Sequence, residues 1–245
     1  MQSDIDFLKY AADLASQIDP HQTAPNPRVG CVVVRDGKIV SEGVHEKFGG
    51  GHAEVNALEA FSPPSAPTSR DSSPHKGGSD SGITIYVTLE PCDCFEGKKT
   101  PSCTQKLIDV DPDRVVIGSL DPQFGGKNIE KLKAAGIKVD VLELPECEKL
   151  NPFFEKYITQ KKPYVCVKMA QSLDGCVTGG DGKYLSNEVS RRQVHVMRAE
   201  YSAILTTVKT IVADNPKLDV RMGNGEWGMT NPDIIILGKR EDVPE

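Results

Sequence analysis

Hydrophobic and polar positions along the chain change period several times, and each change marks an element. Phe7, Leu8, Ala11, Ala12, Leu14 and Ile18 keep near-helical spacing, with Asp4 placed to cap the helix and Asn26-Pro27 to end it. Val29 to Arg35, then Asp36-Gly37, then Lys38 to Gly43 read as a hairpin, because Asp-Gly supplies the positive φ angles that a tight turn between strands requires. A helix is predicted from His52 to about Ala60, a strand from Ile83 to Leu89, and a helix opening near Pro101 to Thr104. A strand over Arg114 to Ser119 follows, then a helix over Asn128 to Ala135 closed by Gly136, and a strand over Lys138 to Leu142. Strands alternating with helices predict a layered sheet with helices on both faces.

Beyond this point the pattern predicts a helix over Glu146 to Tyr157, a connector over Gln160 to Pro163, and a buried-type strand over Tyr164 to Ala170 that opens a second unit. In that unit Asn187 to Glu200 reads as a helix, and Ala203 to Thr206 and Ile234 to Leu237 as strands. The run from Ser62 to Gly82 is dominated by Ser, Pro, Gly and Asp and has no apolar face to bury, so a disordered surface insert is expected there. The domain division read from the chain is therefore 1–145 with the 62–82 insert, a linker over 146–163, and 164–245.

Composition narrows the function classes. The 245 residues carry a formal net charge of −6 and only 6% aromatic residues, which argues against a broad nucleic-acid surface. No apolar run approaches the roughly 18 residues of a membrane span, and the N-terminus enters an amphipathic pattern rather than a leader. Seven cysteines, an odd number, read as reduced thiols in a cytoplasmic setting.

The chemistry is concentrated in His52-Ala53-Glu54, Glu90-Pro91-Cys92 and Cys103. A catalytic zinc takes three protein ligands and keeps one position for water. His52 and two thiolates can supply the three, and Glu54 can carry the proton from that water to a leaving amine. Cys103 at a helix start would be favoured as thiolate by the free amides there. Cys94 lies between Cys92 and Cys103 and is a rival for the third ligand, or a fourth ligand in a purely structural site.

The motifs Asn26-Pro27-Arg28-Val29-Gly30-Cys31, His45, Gly50-Gly51-His52-Ala53-Glu54-Val55, Val87-Thr88-Leu89-Glu90-Pro91-Cys92 and Thr100-Pro101-Ser102-Cys103 resemble the deaminase half of the bifunctional riboflavin-biosynthesis deaminase/reductases. The resemblance runs on through Asp121-Pro122, Leu150-Asn151, Lys168 to Gly175 and Ala213 to Pro216. It implies a cytidine-deaminase-like three-layer α/β/α domain followed by a partial dihydrofolate-reductase-like α/β domain. The implied reaction replaces the 2-amino group of 2,5-diamino-6-ribosylamino-4(3H)-pyrimidinone 5′-phosphate by oxygen, with one Zn2+ per chain. By motif position Asn26, His45, Ala53 and Asp121 would meet the pyrimidine or ribose, and Lys98 or Lys99 the phosphate.

Two departures from the family carry expectations. Cys94 replaces a usual His, and the ligand run is longer around Phe95 to Lys98. In the second half Lys168, Asp174, Thr206, Asp214 and Arg221 match positions that would meet NADPH or the reductase substrate, yet Thr207 stands where a Gly is common and the chain stops soon after Leu237. Absent reductase activity is expected, with a homodimer covering the exposed strand edges. The rival readings are a bifunctional enzyme completed by dimerisation, a deaminase of another nucleoside, nucleotide or tRNA, and a non-catalytic zinc-stabilised binding protein.

Overall fold

A computed structural model describes residues 3–61, 82–94, 101–177, 184–220 and 231–242. The chain divides into two compact units, Met1–Tyr164 and Val165–Glu245. In the first, α1 (Asp4–Ser16) and the short α2 (Pro20–Thr23) lead into the hairpin β1 (Gly30–Arg35) and β2 (Lys38–Val44). Then come α3 (Ala53–Ala60), β3 (Ile83–Val87), α4 (Cys103–Val110), β4 (Arg114–Ile117), α5 (Lys127–Ala134), β5 (Lys138–Val141), α6 (Pro145–Glu148) and α7 (Pro152–Gln160). The five strands form one sheet in the order β2-β1-β3-β4-β5. β1 runs antiparallel to both neighbours, and β3, β4 and β5 are parallel.

The strict alternation of strands divides the core into two layers. Cys31, Val33, Ile85, Val87, Val115 and Ile117 point to the face covered by α3, α4 and α5. Their neighbours Val32, Val34, Tyr86 and Val116 point to the face covered by α1, with Cys147 and Leu150 completing that layer. At the hairpin, Asp36 and Gly37 both have positive φ (51° and 71°), as the Asp-Gly pair predicts. Gly43 matters for the site: a Cβ there would meet the Ala57 amide nitrogen at 2.3 Å and the Ala53 carbonyl oxygen at 2.5 Å, so only glycine lets α3 lie so close on β2.

The structure corrects three expectations in this unit. Ser3 rather than Asp4 caps α1, in a reciprocal capping box with Asp6. The single helix expected over Glu146 to Tyr157 is two, α6 and α7, because Pro152 lacks an amide donor and pushes Asn151 out of helical geometry. Helix α1 ends at Ser16 rather than at Asn26-Pro27, and α2, too short to show a period, lies between them.

The second unit contains α8 (Glu188–Ala199), β6 (Ala203–Thr207), α9 (Val208–Asp214), β7 (Asp233–Leu237) and a 3-10 turn over Arg240–Asp242. β6 and β7 pair in parallel as a two-stranded sheet. The expected strand at Tyr164 to Ala170 is not formed: the run pairs with neither β6 nor β7, and Val165, Val167 and Met169 lie exposed. Helix α9 was also missed; Thr207 caps it, its hydroxyl accepting from the Thr210 amide. No helix among the described residues is long and apolar enough to cross a membrane. Residues 62–81 of the expected insert, Lys98, Lys99, Phe95 to Gly97 and Arg221 lie outside the described residues.

Candidate active site

Three elements deliver three side chains to one point. His52 is the N-cap residue of α3, in extended geometry (ψ 161°), and its side chain makes no capping hydrogen bond, so the imidazole is not committed to the helix. Cys92 sits in the loop that follows β3, whose last residue is Val87. Cys103 is the first residue of α4, which Ser102 caps by accepting from the Gln105 amide at 3.0 Å. Cys92 Sγ lies 3.2 Å and Cys103 Sγ 3.3 Å from His52 Nδ1, and the three ligand atoms are all within 4.8 Å of one another. Tetrahedral zinc with bonds of about 2.0 Å to nitrogen and 2.3 Å to sulfur sets such atoms about 3.5 Å apart, so the donor set fits that ion. Cys94 is exposed and does not join the group.

Glu54, on the first turn of α3, is buried at 3% exposure. Burial pushes its carboxyl up to about 7, with the Cys92 charge adding to the effect. A carboxyl held there can accept and release a proton near neutrality. On β1, Cys31 is buried and its thiol is pushed well above its ordinary range by that burial, next by the charge of Glu54.

Of the expected substrate residues, Asn26 and His45 are brought beside His52. The His45 and His52 rings meet edge to face at 5.2 Å. His45 Nδ1 lies 2.9 Å from the Gly51 carbonyl, which can only accept, so the proton is on Nδ1. Nε2 then accepts from the Asn26 amide group at 3.2 Å. Burial lowers the His45 pKa, which keeps this neutral tautomer. Ala53 is fully buried at the start of α3. Asp121 is buried, and its carboxyl is raised to about 6 by burial, then by the charges of Glu90 and Cys92.

Glu90 has a role that its motif alone did not disclose. Its buried carboxylate accepts from the backbone amides of Asp121 (3.3 Å), Gly126 (2.9 Å) and Asn128 (3.1 Å), and Asn128 Nδ2 donates back to the Pro91 carbonyl at 3.0 Å. The loop bearing Asp121 is thereby tied to the chain bearing Cys92. An acidic residue closing an apolar run is the only sequence signal for this, and its partners are more than thirty positions away.

In the second unit the expected cofactor residues stand on different pieces of backbone. Lys168 is exposed on the irregular run before α8, and Asp174 is exposed in a turn where it accepts from Ser172. Thr206 is half-buried on β6, and Asp214 is exposed at the end of α9.

Comparison with known proteins matches residues 1–119 to the cytidine and deoxycytidylate deaminase zinc-binding region and residues 163–245 to the RibD C-terminal domain. The chain is 42% identical to the riboflavin biosynthesis protein RibD of Actinobacillus pleuropneumoniae, covering 91% of this chain and 56% of that protein. With RibD of Aquifex aeolicus the identity is 41%, covering 98% and 63%. Among solved structures, the diaminohydroxyphosphoribosylaminopyrimidine deaminase/5-amino-6-(5-phosphoribosylamino)uracil reductase of Thermotoga maritima superposes with a TM-score of 0.78 at 39% identity, covering 97% of this chain and 63% of that one. Acinetobacter baumannii RibD gives 0.81 at 32% identity, covering 98% and 65%. The chain spans about three fifths of the length of these relatives.

Proposed function

The chain belongs to the family of bifunctional riboflavin-biosynthesis deaminase/reductases, and on that premise we propose that its first unit is a zinc-dependent hydrolytic deaminase of 2,5-diamino-6-ribosylamino-4(3H)-pyrimidinone 5′-phosphate. The observation that carries the reading is the convergence of His52, Cys92 and Cys103 on one point with the buried Glu54 beside them. Zinc, when bound, supplies Lewis acidity that brings the pKa of a water from about 15.7 to roughly 7.

The remaining work falls to the chain's own side chains. Glu54, poised near neutrality, takes the proton released by the attacking water and passes it to the departing amine, which leaves as ammonia. His45, neutral with Nδ1 held by Gly51, fixes the Asn26 amide, which is then placed to read polar edges of the pyrimidine or ribose. Asp121, held by the Glu90-anchored loop, is a second such group. Lys98 or Lys99 is assigned to the 5′-phosphate, where a compact ammonium suits a point charge.

We assign 1–145 to the deaminase, 146–163 to a linker whose Cys147 and Leu150 pack into the core of the first unit, and 164–245 to a reductase-like segment that does not turn over NADPH in this chain. The placement of Lys168, Asp174 and Asp214, exposed on separate pieces of backbone, supports that reading.

Ammonia release from the diaminopyrimidinone ribosylamine phosphate by zinc-loaded protein tests the proposal, with NADPH oxidation followed in the same mixture. Release without NADPH loss is the expected result. Comparable release from cytidine or deoxycytidylate would transfer the site to another substrate class, and no release from any of them would leave a zinc-stabilised binding protein.

A further inference from the structure

Ten residues separate the two thiols of the metal group, and the residues next to each thiol are bonded to one another. Asp93 directly follows Cys92, and Ser102 directly precedes Cys103. Asp93 Oδ1 accepts from Ser102 Oγ at 2.8 Å and from the Cys94 amide at 2.7 Å. Asp93 Oδ2 accepts from Lys131 Nζ on α5. The Cys92 carbonyl accepts from the Thr104 amide at 3.0 Å and from Thr104 Oγ1 at 3.1 Å, both in the first turn of α4.

A carboxylate has two oxygens with four acceptor positions, so one Asp can bridge donors from three pieces of backbone. Here they are its own loop, the cap of α4 and the middle of α5. Ser102 serves twice, donating to Asp93 while accepting from Gln105, which fixes its hydroxyl and the start of α4 together. The residues flanking both thiols are therefore pinned to each other.

We infer that Asp93, with Ser102 and Lys131, is a clasp that sets the separation of Cys92 and Cys103 independently of the length of chain between them. Asp93 acts here as a positioning residue, through the thiols it holds. The inference rests on the zinc reading of His52, Cys92 and Cys103. It explains how two thiols separated by ten residues both reach within hydrogen-bond range of one imidazole nitrogen. It also places Cys94 on the outer side of the clasp, where it is exposed.

The test is a cycle on the full chain: Asp93→Ala, insertion of two glycines after Gly97, and both together. Zinc loss to a chromogenic chelator, the thiolate-to-cobalt absorption of the cobalt form, and the melting temperature of the metal-free protein are measured for each. Asp93→Ala is expected to speed zinc loss by roughly 10- to 100-fold, the usual effect of losing a group that orients metal ligands. It should alter the cobalt spectrum, with at most a small fall in the metal-free melting temperature. The insertion alone should change the release rate by no more than about twofold, since loop closure depends weakly on length; in the Asp93→Ala background it should accelerate loss further. Asp93→Asn, which keeps Oδ1 as acceptor for Ser102, should fall between. Zinc release from Asp93→Ala at the parental rate overturns the clasp while leaving the zinc reading intact. A fall in the metal-free melting temperature with an unchanged cobalt spectrum overturns it as well, in favour of a merely structural role. Parental protein that binds no zinc overturns both.

Discussion

Strands β1, β3 and β4 and strands β6 and β7 are built from the same residue types and meet opposite fates. Val32, Val33, Ile85, Val115 and Val116 are fully buried, whereas Ile234, Ile235 and Leu237 stay about half exposed. β-branched content sets the readiness to form a strand, but burial is decided by the layers stacked on it. The first unit has helices on both faces of its sheet; the described part of the second has two strands and two helices. The candidate chemistry follows the same division. His52, Glu54, Cys92 and Cys103 are held where α3, the β3 loop and α4 converge on a packed core, while Lys168, Asp174 and Asp214 stand exposed and apart.

The sharpest break in that contrast is Glu54→Gln. It should keep zinc and lower ammonia release by about 10²- to 10⁴-fold, leaving any spectroscopic signal of the second unit unchanged; full activity in the variant would remove Glu54 from its proton-carrying role. Next in size is a matched truncation. Ile85→Ala leaves a cavity between helix and sheet and should cost about 2–5 kcal/mol in denaturant unfolding, whereas Ile235→Ala should cost under about 1 kcal/mol, since its side chain is already wet. Equal losses would mean that Ile235 is covered in solution. Thiol labelling reads the same difference without mutation: Cys166 and Cys176 should react promptly in the native protein, and Cys31 and Cys147 only after unfolding.

The smallest effect is electrostatic and confined to the first unit. Arg114 pairs with both carboxylate oxygens of Asp4 (3.0 and 2.8 Å), and Tyr86 donates to Asp4 Oδ1 at 2.7 Å, tying α1 to the sheet. Arg114 beside it holds the Asp4 carboxyl below its ordinary value of 3.8. The carboxyl is easier to ionise when folded, so its contribution is complete above that value and is lost as pH falls through the lower folded one. Unfolding of the first unit below pH 4 should therefore be delayed in the parental protein relative to Asp4→Asn. The two should share one acid profile if the pair contributes nothing.

Much of the first unit was legible because its signals are local. Asp36-Gly37 specifies a turn by backbone sterics, Gly136 closes a helix, and the unbroken apolar run over Val32 to Val34 fits a strand buried on both faces. The helix break at Asn151 was less visible. Pro152 signals it, but the Asn151 side chain also exchanges hydrogen bonds with the Arg28 backbone at 2.7 and 2.8 Å, a pairing across 123 positions that no window of sequence contains. The run from Tyr164 to Ala170 failed in the opposite way. Its composition reads as a core strand, yet the run pairs with neither β6 nor β7.

By itself the sequence determined the succession of strands and helices around the first sheet, the Asp36-Gly37 turn, and the residue types able to bind zinc and carry a proton, since these follow from short-range sterics and intrinsic chemistry. Tertiary structure alone decided that Cys103 rather than Cys94 faces His52, that Glu90 holds the Asp121 loop, and that Asp93 closes the chain between the thiols. Each of those depends on which distant backbone a side chain meets, and a hydrogen bond of about 3 Å is set by packing, not by separation along the chain.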